Sequence, residues 1–297
     1  MHLAFLVFLS LAGSAASAEN DLPAYLLQLP DGVADIYVAD TDAATLYRYS
    51  QTEEGLRLAE STYMSIGENG AGKEREWDRK TPLGIYFVVD RLDTSRMHEK
   101  YGVMAFPLDY PNVRDRHAGR SGNGIWLHGV QPGGQRRPAF DTDGCVAVPN
   151  EDLTRLQDTF VPAETAVIVT RGIRRATEAD RMRITRELRD AVSEWARALA
   201  LEDPSDYLAL YSSAFTYRGL SYDEWLSFRN QGFRDRGPAQ VSVGDLMLLA
   251  EPDAPGVYLS RFRQRIVTGR ADAETVKRLY WRRDTDGRLK IVAEDNG

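Results

Sequence analysis

The sequence predicts a mixed, two-domain chain: a β-rich domain with one short helix, sandwich- or barrel-like, followed by an α+β domain. Three observations predict it. Between residues 34 and 170, short β-prone runs alternate with glycine- and proline-rich junctions. Near Thr177 the apolar spacing lengthens to three or four residues, the period of a helix. From Val241 onward strand-like runs return, and the last two flank an Asp-Gly turn, a hairpin signal.

Taken in order, "ADIYVAD" alternates Ile36 and Val38 with polar or small neighbours, and "ATLYRYS" follows with Leu46, Tyr47 and Tyr49. "LGIYFVVD", "GIWLHGV" and "TAVIVT" are further strands, with turns at "GENGAGK", "TPLG" and "QPGGQ". The single helix expected in this half runs from Asn150 to about Phe160. A boundary falls near Gly172 to Thr177, so residues 34–172 form the first domain, 173–188 a linker and helix start, and 189–297 the second domain. Thr177 can accept the amide three residues on, as in a capping box, and Ile184, Leu188, Val192, Trp195 and Leu199 share one helix face. "EDPSDYLALYSSAF" and "SYDEWLSFRNQGF" predict two more helices, and core packing is the expected role of Trp195, Tyr211, Trp225, Phe228 and Trp281.

The first eighteen residues carry an apolar run from Leu3 to Leu11, too short to span a bilayer, and end in Ala16-Ser17-Ala18. This pattern is expected of a secretory signal peptide (1–18) and a periplasmic destination. No later stretch is long enough for a transmembrane segment. Residues 19–33 form an N-terminal arm whose composition leaves open a dimer arm, hence a homodimer, or a loose tail. A net charge of −7 argues against a nucleic-acid partner. Metal chemistry lacks its usual spacings, with neither C-x-x-C nor H-E-x-x-H present, so no metal or cofactor is expected.

Cys145 is the only cysteine, so no intramolecular disulfide is available to an exported chain. It follows Gly144, and His128 lies seventeen residues upstream at the end of a strand, beside Gly129. A thiol near a histidine is the arrangement of a thiol acyl-transfer enzyme, with the Gly144 and Cys145 amides available for an oxyanion. The competing reading makes Cys145 a small buried hydrophobe. His117, in a polar loop, is a rival base, and His98 an ordinary exposed residue.

The stretch from His128-Gly129 through a glycine-rich loop to Thr142-Asp143-Gly144-Cys145-Val146 resembles the YkuD-type L,D-transpeptidase domain. "GENGAGKEREWDRKTPLGIYFV" and "FPLDYPN" are similar to two further elements of that family. The resemblance implies Cys145 as nucleophile, His128 as general base, and the Gly129 carbonyl as the group that orients the imidazole. Two positions depart from the pattern S-H-G-C-x-R: Asp143 replaces the second histidine and Ala147 the arginine. The second half looks like an NTF2-like domain, and the pair together resembles the Csd6-type group of L,D-carboxypeptidases and L,D-transpeptidases. That group implies peptidoglycan stem peptides as partners, with hydrolysis slightly favoured over 3–3 cross-linking or the attachment and detachment of wall-linked protein, and a non-catalytic wall-binding scaffold as the contrasting class. Tyr110, Trp126, Arg114 and Asp143 are candidate substrate contacts, and basic residues such as Lys73, Arg79, Arg136 and Arg137 are expected to border the cleft.

Overall fold

A computed structural model describes residues 22–133 and 137–297. Segment 1–18, expected to be a signal peptide, and Arg136 lie outside the described residues.

The first domain is built on a five-stranded sheet in the order β4-β3-β2-β11-β6, made of β2 (Asp35–Asp40), β3 (Thr45–Thr52), β4 (Gly55–Tyr63), β6 (Gly84–Phe87) and β11 (Ala166–Thr170). β2, β6 and β11 are buried along their whole length. Burial on both faces explains why "AVIVT" and "GIYF" read as continuous apolar runs without polar alternation. One face packs on a core containing Tyr37, Tyr86, Val167 and Val169 together with Phe106, Leu127, Val146 and Leu153. These last four come from a second, three-stranded sheet of β7 (Ala105–Pro107), β8 (Trp126–His128) and β10 (Val146–Ala147), and from α2 (Asn150–Leu156). A two-stranded pair, β5 (Ile66–Gly67) with β9 (Phe140–Thr142), completes the layer.

Two helical turns were not expected here. A 3₁₀ turn covers Glu99–Tyr101, and α1 spans Val113–His117. α1 starts on a reciprocal cap: the Asp115 amide donates to Asn112 Oδ1 at 3.0 Å, and the Asn112 amide to Asp115 Oδ2 at 3.1 Å. Its last residue, His117, places Nε2 3.1 Å from the Thr216 hydroxyl of the second domain.

In that second domain α3 is one helix, Glu178–Ala200, starting where the Thr177 hydroxyl accepts the Asp180 amide at 3.2 Å. α4 is only Ser205–Leu208, shorter than its sequence suggests, and α5 runs Tyr222–Arg236. They pack on a sheet of β12 (Ala239–Ala250), β13 (Val257–Thr268), β14 (Asp272–Arg283) and β15 (Leu289–Asn296), with the Asp-Gly turn between the last two as expected. Trp195, Tyr211, Trp225 and Trp281 are core residues, whereas Phe228 is 56% exposed and takes no part in the core.

The N-terminal arm contributes β1 (Leu26–Gln28), which pairs antiparallel with β12 and extends the second domain's sheet. Residues of both halves share one core, in which Tyr25, Ile36, Val38 and Ile168 meet Met247, Leu259 and Tyr280. Arg278 rivets the seam, pairing with Asp109 of the first domain and with Asp295 at 2.6 Å. Among the described residues no helix is long and apolar enough to cross a membrane.

Candidate functional site

β8 and β10 run parallel, with Val146 opposite Leu127 and Ala147 opposite His128. Cys145, one residue before β10, therefore falls beside Trp126. Because alternate residues of a strand share a face, Cys145 and His128 become diagonal neighbours on one side of the sheet. Both line a cavity of about 470 Å³, with Tyr101, Lys100, Asp143 and Arg137 among its other walls.

His128 is 3% exposed. Its Nδ1 lies 2.6 Å from the Gly129 carbonyl oxygen. A carbonyl only accepts, so Nδ1 carries the proton and Nε2 keeps its lone pair. Burial drives the imidazole pKa down to about 4, and the Arg137 and Lys100 charges push the same way. The Tyr101 ring meets the imidazole edge-on at 5.3 Å. Cys145 is half-buried, its Sγ 3.4 Å from the Gly124 carbonyl. Burial pushes the thiol up, outweighing the Trp126 amide and the Lys100 and Arg137 charges that favour thiolate. In the free site both partners are thus neutral, a thiol beside an imidazole with an open lone pair.

Threonines brace the loop that carries the sulfur. Thr142 Oγ1 donates to the Cys145 carbonyl at 2.7 Å and accepts the Gly144 amide at 3.1 Å. Thr81 Oγ1 donates to the Gly144 carbonyl at 2.9 Å and accepts the Gly67 amide at 2.9 Å. Gly144 has φ +125°, and a Cβ there would sit 2.7 Å from the Lys80 carbonyl oxygen, so only glycine fits. The Gly144 amide is already engaged by Thr142, which leaves the Cys145 amide as the remaining donor of the expected oxyanion pair. Asn150 secures the histidine side: its Oδ1 accepts the Val130 amide at 2.9 Å and its Nδ2 donates to the Val130 carbonyl at 2.7 Å. A Cβ on Gly129 would lie 2.2 Å from that Oδ1, so this glycine is required by packing as well.

The other expected site residues are dispersed. Asp143 lines the cavity and pairs with Lys100 at 3.2 Å. Trp126 stands against Tyr101 at 4.9 Å between ring centres. Tyr110 is buried, its hydroxyl donating to the Ser121 carbonyl, and does not line the cavity. Arg114 is held in the seam by Glu251 at 3.5 Å and Asp253 at 3.4 Å. Lys73 is buried on Asp78 at 2.8 Å. Ala147 is buried; Arg79 and Arg137 both line the cavity, the latter tied to Asp141 at 2.7 Å. The bracing contacts of Thr142, Thr81 and Asn150 and the ring contact of Tyr101 escaped the sequence reading; the Thr142-Asp143-Gly144-Cys145 stretch and the helix start at Asn150 marked two of these positions but not their contacts. Among the described residues no cluster of three or more His, Cys, Asp or Glu side chains could hold a metal ion.

Residues 34–169 match the family model of the L,D-transpeptidase catalytic domain named YkuD, and residues 187–295 match that of the Cds6 C-terminal NTF2-like domain. The chain joins a YkuD-type catalytic domain to an NTF2-like domain. Solved structures repeat this pairing in three dimensions. Bd1075 of Bdellovibrio bacteriovorus superposes with a TM-score of 0.77 at 24% identity, covering 94% of this chain and 98% of its own. Pgp2, described as a helical cell shape determining protein of Campylobacter jejuni, superposes with a TM-score of 0.76 at 25% identity, covering 91% and 95%. None of the curated proteins compared by sequence matches.

Proposed function

We propose that this chain is an exported thiol enzyme of the cell envelope that cleaves the meso-diaminopimelate–D-alanine bond of peptidoglycan tetrapeptide stems, acting as an L,D-carboxypeptidase. The observation that carries this reading is the lone thiol sharing a cavity with an imidazole whose Nδ1 is held by the Gly129 carbonyl. The YkuD family model and the likeness to Pgp2 support the substrate class and a part in cell shape.

Cys145 Sγ attacks the carbonyl carbon of the L-centre while its proton passes to His128 Nε2. Because burial keeps the free thiol protonated and weakens the imidazole as a base, transfer and attack proceed together, with the open Nε2 lone pair as the proton's acceptor. The tetrahedral oxyanion is received by the Cys145 amide. Collapse breaks the C–N bond, His128 returns the proton to the departing amine, and D-alanine leaves a thioester. Water then attacks with His128 again as base, releasing tripeptide and restoring the thiol. If the amine of a second stem replaces water, the same acyl-enzyme gives a 3–3 cross-link, the outcome in the family model's name. Lys100 and Arg137 are suited to the stem's carboxylates.

The test is digestion of defined tetrapeptide muropeptides with and without an acceptor stem. Tripeptide alone marks hydrolysis, cross-linked dimer marks transfer, and neither product favours a wall-binding scaffold. Wild-type turnover by Cys145→Ser would refute thiol catalysis.

A further inference from the structure

One side chain of the cavity is unlike the rest. Trp77 lines it yet is 86% exposed. Its backbone has φ +66°, the left-handed region that a bulky residue rarely adopts, and Arg79, also on the cavity wall, has φ +54°. Both conformations are enforced by the residue between them. Asp78 accepts from Lys73 Nζ at 2.8 Å, from the Glu74 and Arg75 amides at 2.8 and 3.0 Å, and from the Lys80 amide at 3.1 Å. Burial opposes its charge, but the ammonium and the amides hold its carboxyl well below the usual carboxylate range. The turn is also fastened to the strand approach behind it: the Ser121 amide donates to the Glu74 carbonyl at 3.0 Å, and Gly122 packs where a Cβ would meet Glu76 Cα at 3.3 Å. Two residues further on, the Gly124 carbonyl meets Cys145 Sγ. A rigid, strained turn thus holds an indole out into water at the mouth of the cavity that contains the nucleophile.

Among the described residues nothing packs this ring: Trp77 belongs to none of the hydrophobic cores and stands in water. Backbone strain kept at a site without a packing return marks a position set for a ligand. The ligand's chemistry follows from the surroundings. The flat indole is set among charged groups, Arg79, Lys100, Arg137, Asp141 and Asp143. An aliphatic side chain would need a concave apolar pocket, and a carboxylate needs only the cations. A pyranose ring meets both conditions, because its axial C–H groups form a flat apolar face while its hydroxyl and amide substituents point outward to polar partners.

We infer that Trp77 is a stacking platform for a sugar ring, so that this site takes peptide stems still attached to their glycan in preference to free peptides. The inference rests on the stem-peptide reading above. Its test compares a disaccharide-tetrapeptide with the same tetrapeptide released from its sugar. For Trp77→Ala the ratio of kcat/KM between the two substrates falls about tenfold, and Trp77→Tyr restores most of it. Trp77→Gly, whose backbone suits the turn, serves as the variant that keeps the fold. Direct binding is read with Cys145→Ala by tryptophan fluorescence: the disaccharide-tetrapeptide quenches or shifts the exposed emission, and Trp77→Gly abolishes the change. Equal losses on both substrates, or none, would overturn the sugar platform while leaving the thiol enzyme standing. A wild-type chain that processes neither substrate would overturn both.

Discussion

Replacing Thr142 by valine keeps the shape of a 6% exposed side chain and removes one hydroxyl. That oxygen makes two bonds inside the four-residue turn that carries the sulfur, to the Cys145 carbonyl at 2.7 Å and from the Gly144 amide at 3.1 Å. Removing the hydroxyl strands two partners at about 1–3 kcal/mol each, so the pair amounts to about 2–6 kcal/mol. At about 2 °C per kcal/mol for a chain of this size, that lowers Tm by about 4–12 °C. The freed turn also lets the sulfur drift from the His128 side of the sheet, so the rate of thiol alkylation by iodoacetamide changes alongside stability. Thr142→Ser keeps the hydroxyl and is expected within about 1 kcal/mol of wild type. Thermal melting and alkylation kinetics on the three proteins decide the matter. A valine variant that melts within about a degree of wild type and alkylates at the same rate would refute the bracing role.

Other expectations follow from the same geometry. Burial lowers the His128 pKa from 6.5 to about 4, so the unfolded chain binds the extra proton between those values. The neutral-imidazole contribution is complete above pH 6.5 and lost as pH falls through about 4; relative to His128→Gln, wild type loses about 3 kcal/mol between pH 7 and 4 in denaturant melts. A pH-independent difference would contradict this. Burial raises Glu251 to about 7 against the pull of Arg114, and among the described residues neither carboxylate oxygen has a hydrogen-bond partner, so its stabilising protonated form is lost as pH rises through about 7. Glu251→Gln should therefore raise Tm at pH 8 and do little at pH 5, and an equal effect at both would count against it. Gly144→Ala forces a Cβ within 2.7 Å of the Lys80 carbonyl, and a loss of at least about 100-fold in muropeptide turnover is expected; retained activity would show that the turn can shift. Trp77→Gly removes left-handed strain of about 1 kcal/mol, and a melt showing it less stable than wild type would mean the ring contributes to folding.

Much of the molecule was legible one residue at a time. Strand and helix periods, the Asp-Gly hairpin, the Thr177 cap and the strand-end placement of His128 rest on local backbone preferences, which a single sequence states directly. The resemblance to the YkuD family likewise came from ordered short motifs, and residues 34–169 match its model. α1 was missed although its Asn112–Asp115 cap is written in the sequence, because glycines and charges around it read as a loop. Only the folded chain decided the rest. Arg114 was drawn as a cleft cation, but the second domain offers Glu251 and Asp253 and takes it into the seam. The arm at Leu26–Gln28 found its partner in β12, more than two hundred residues away, a pairing no local pattern encodes. Phe228 and Trp77 are equally apolar by type to the core aromatics, yet the fold leaves both in water. The depressed imidazole of His128 depends on burial by Tyr101 and its neighbours, whose approach is set by strand register. Residue type and spacing determine which groups can do chemistry; desolvation and long-range pairing, which exist only after folding, determine which of them are placed to do it.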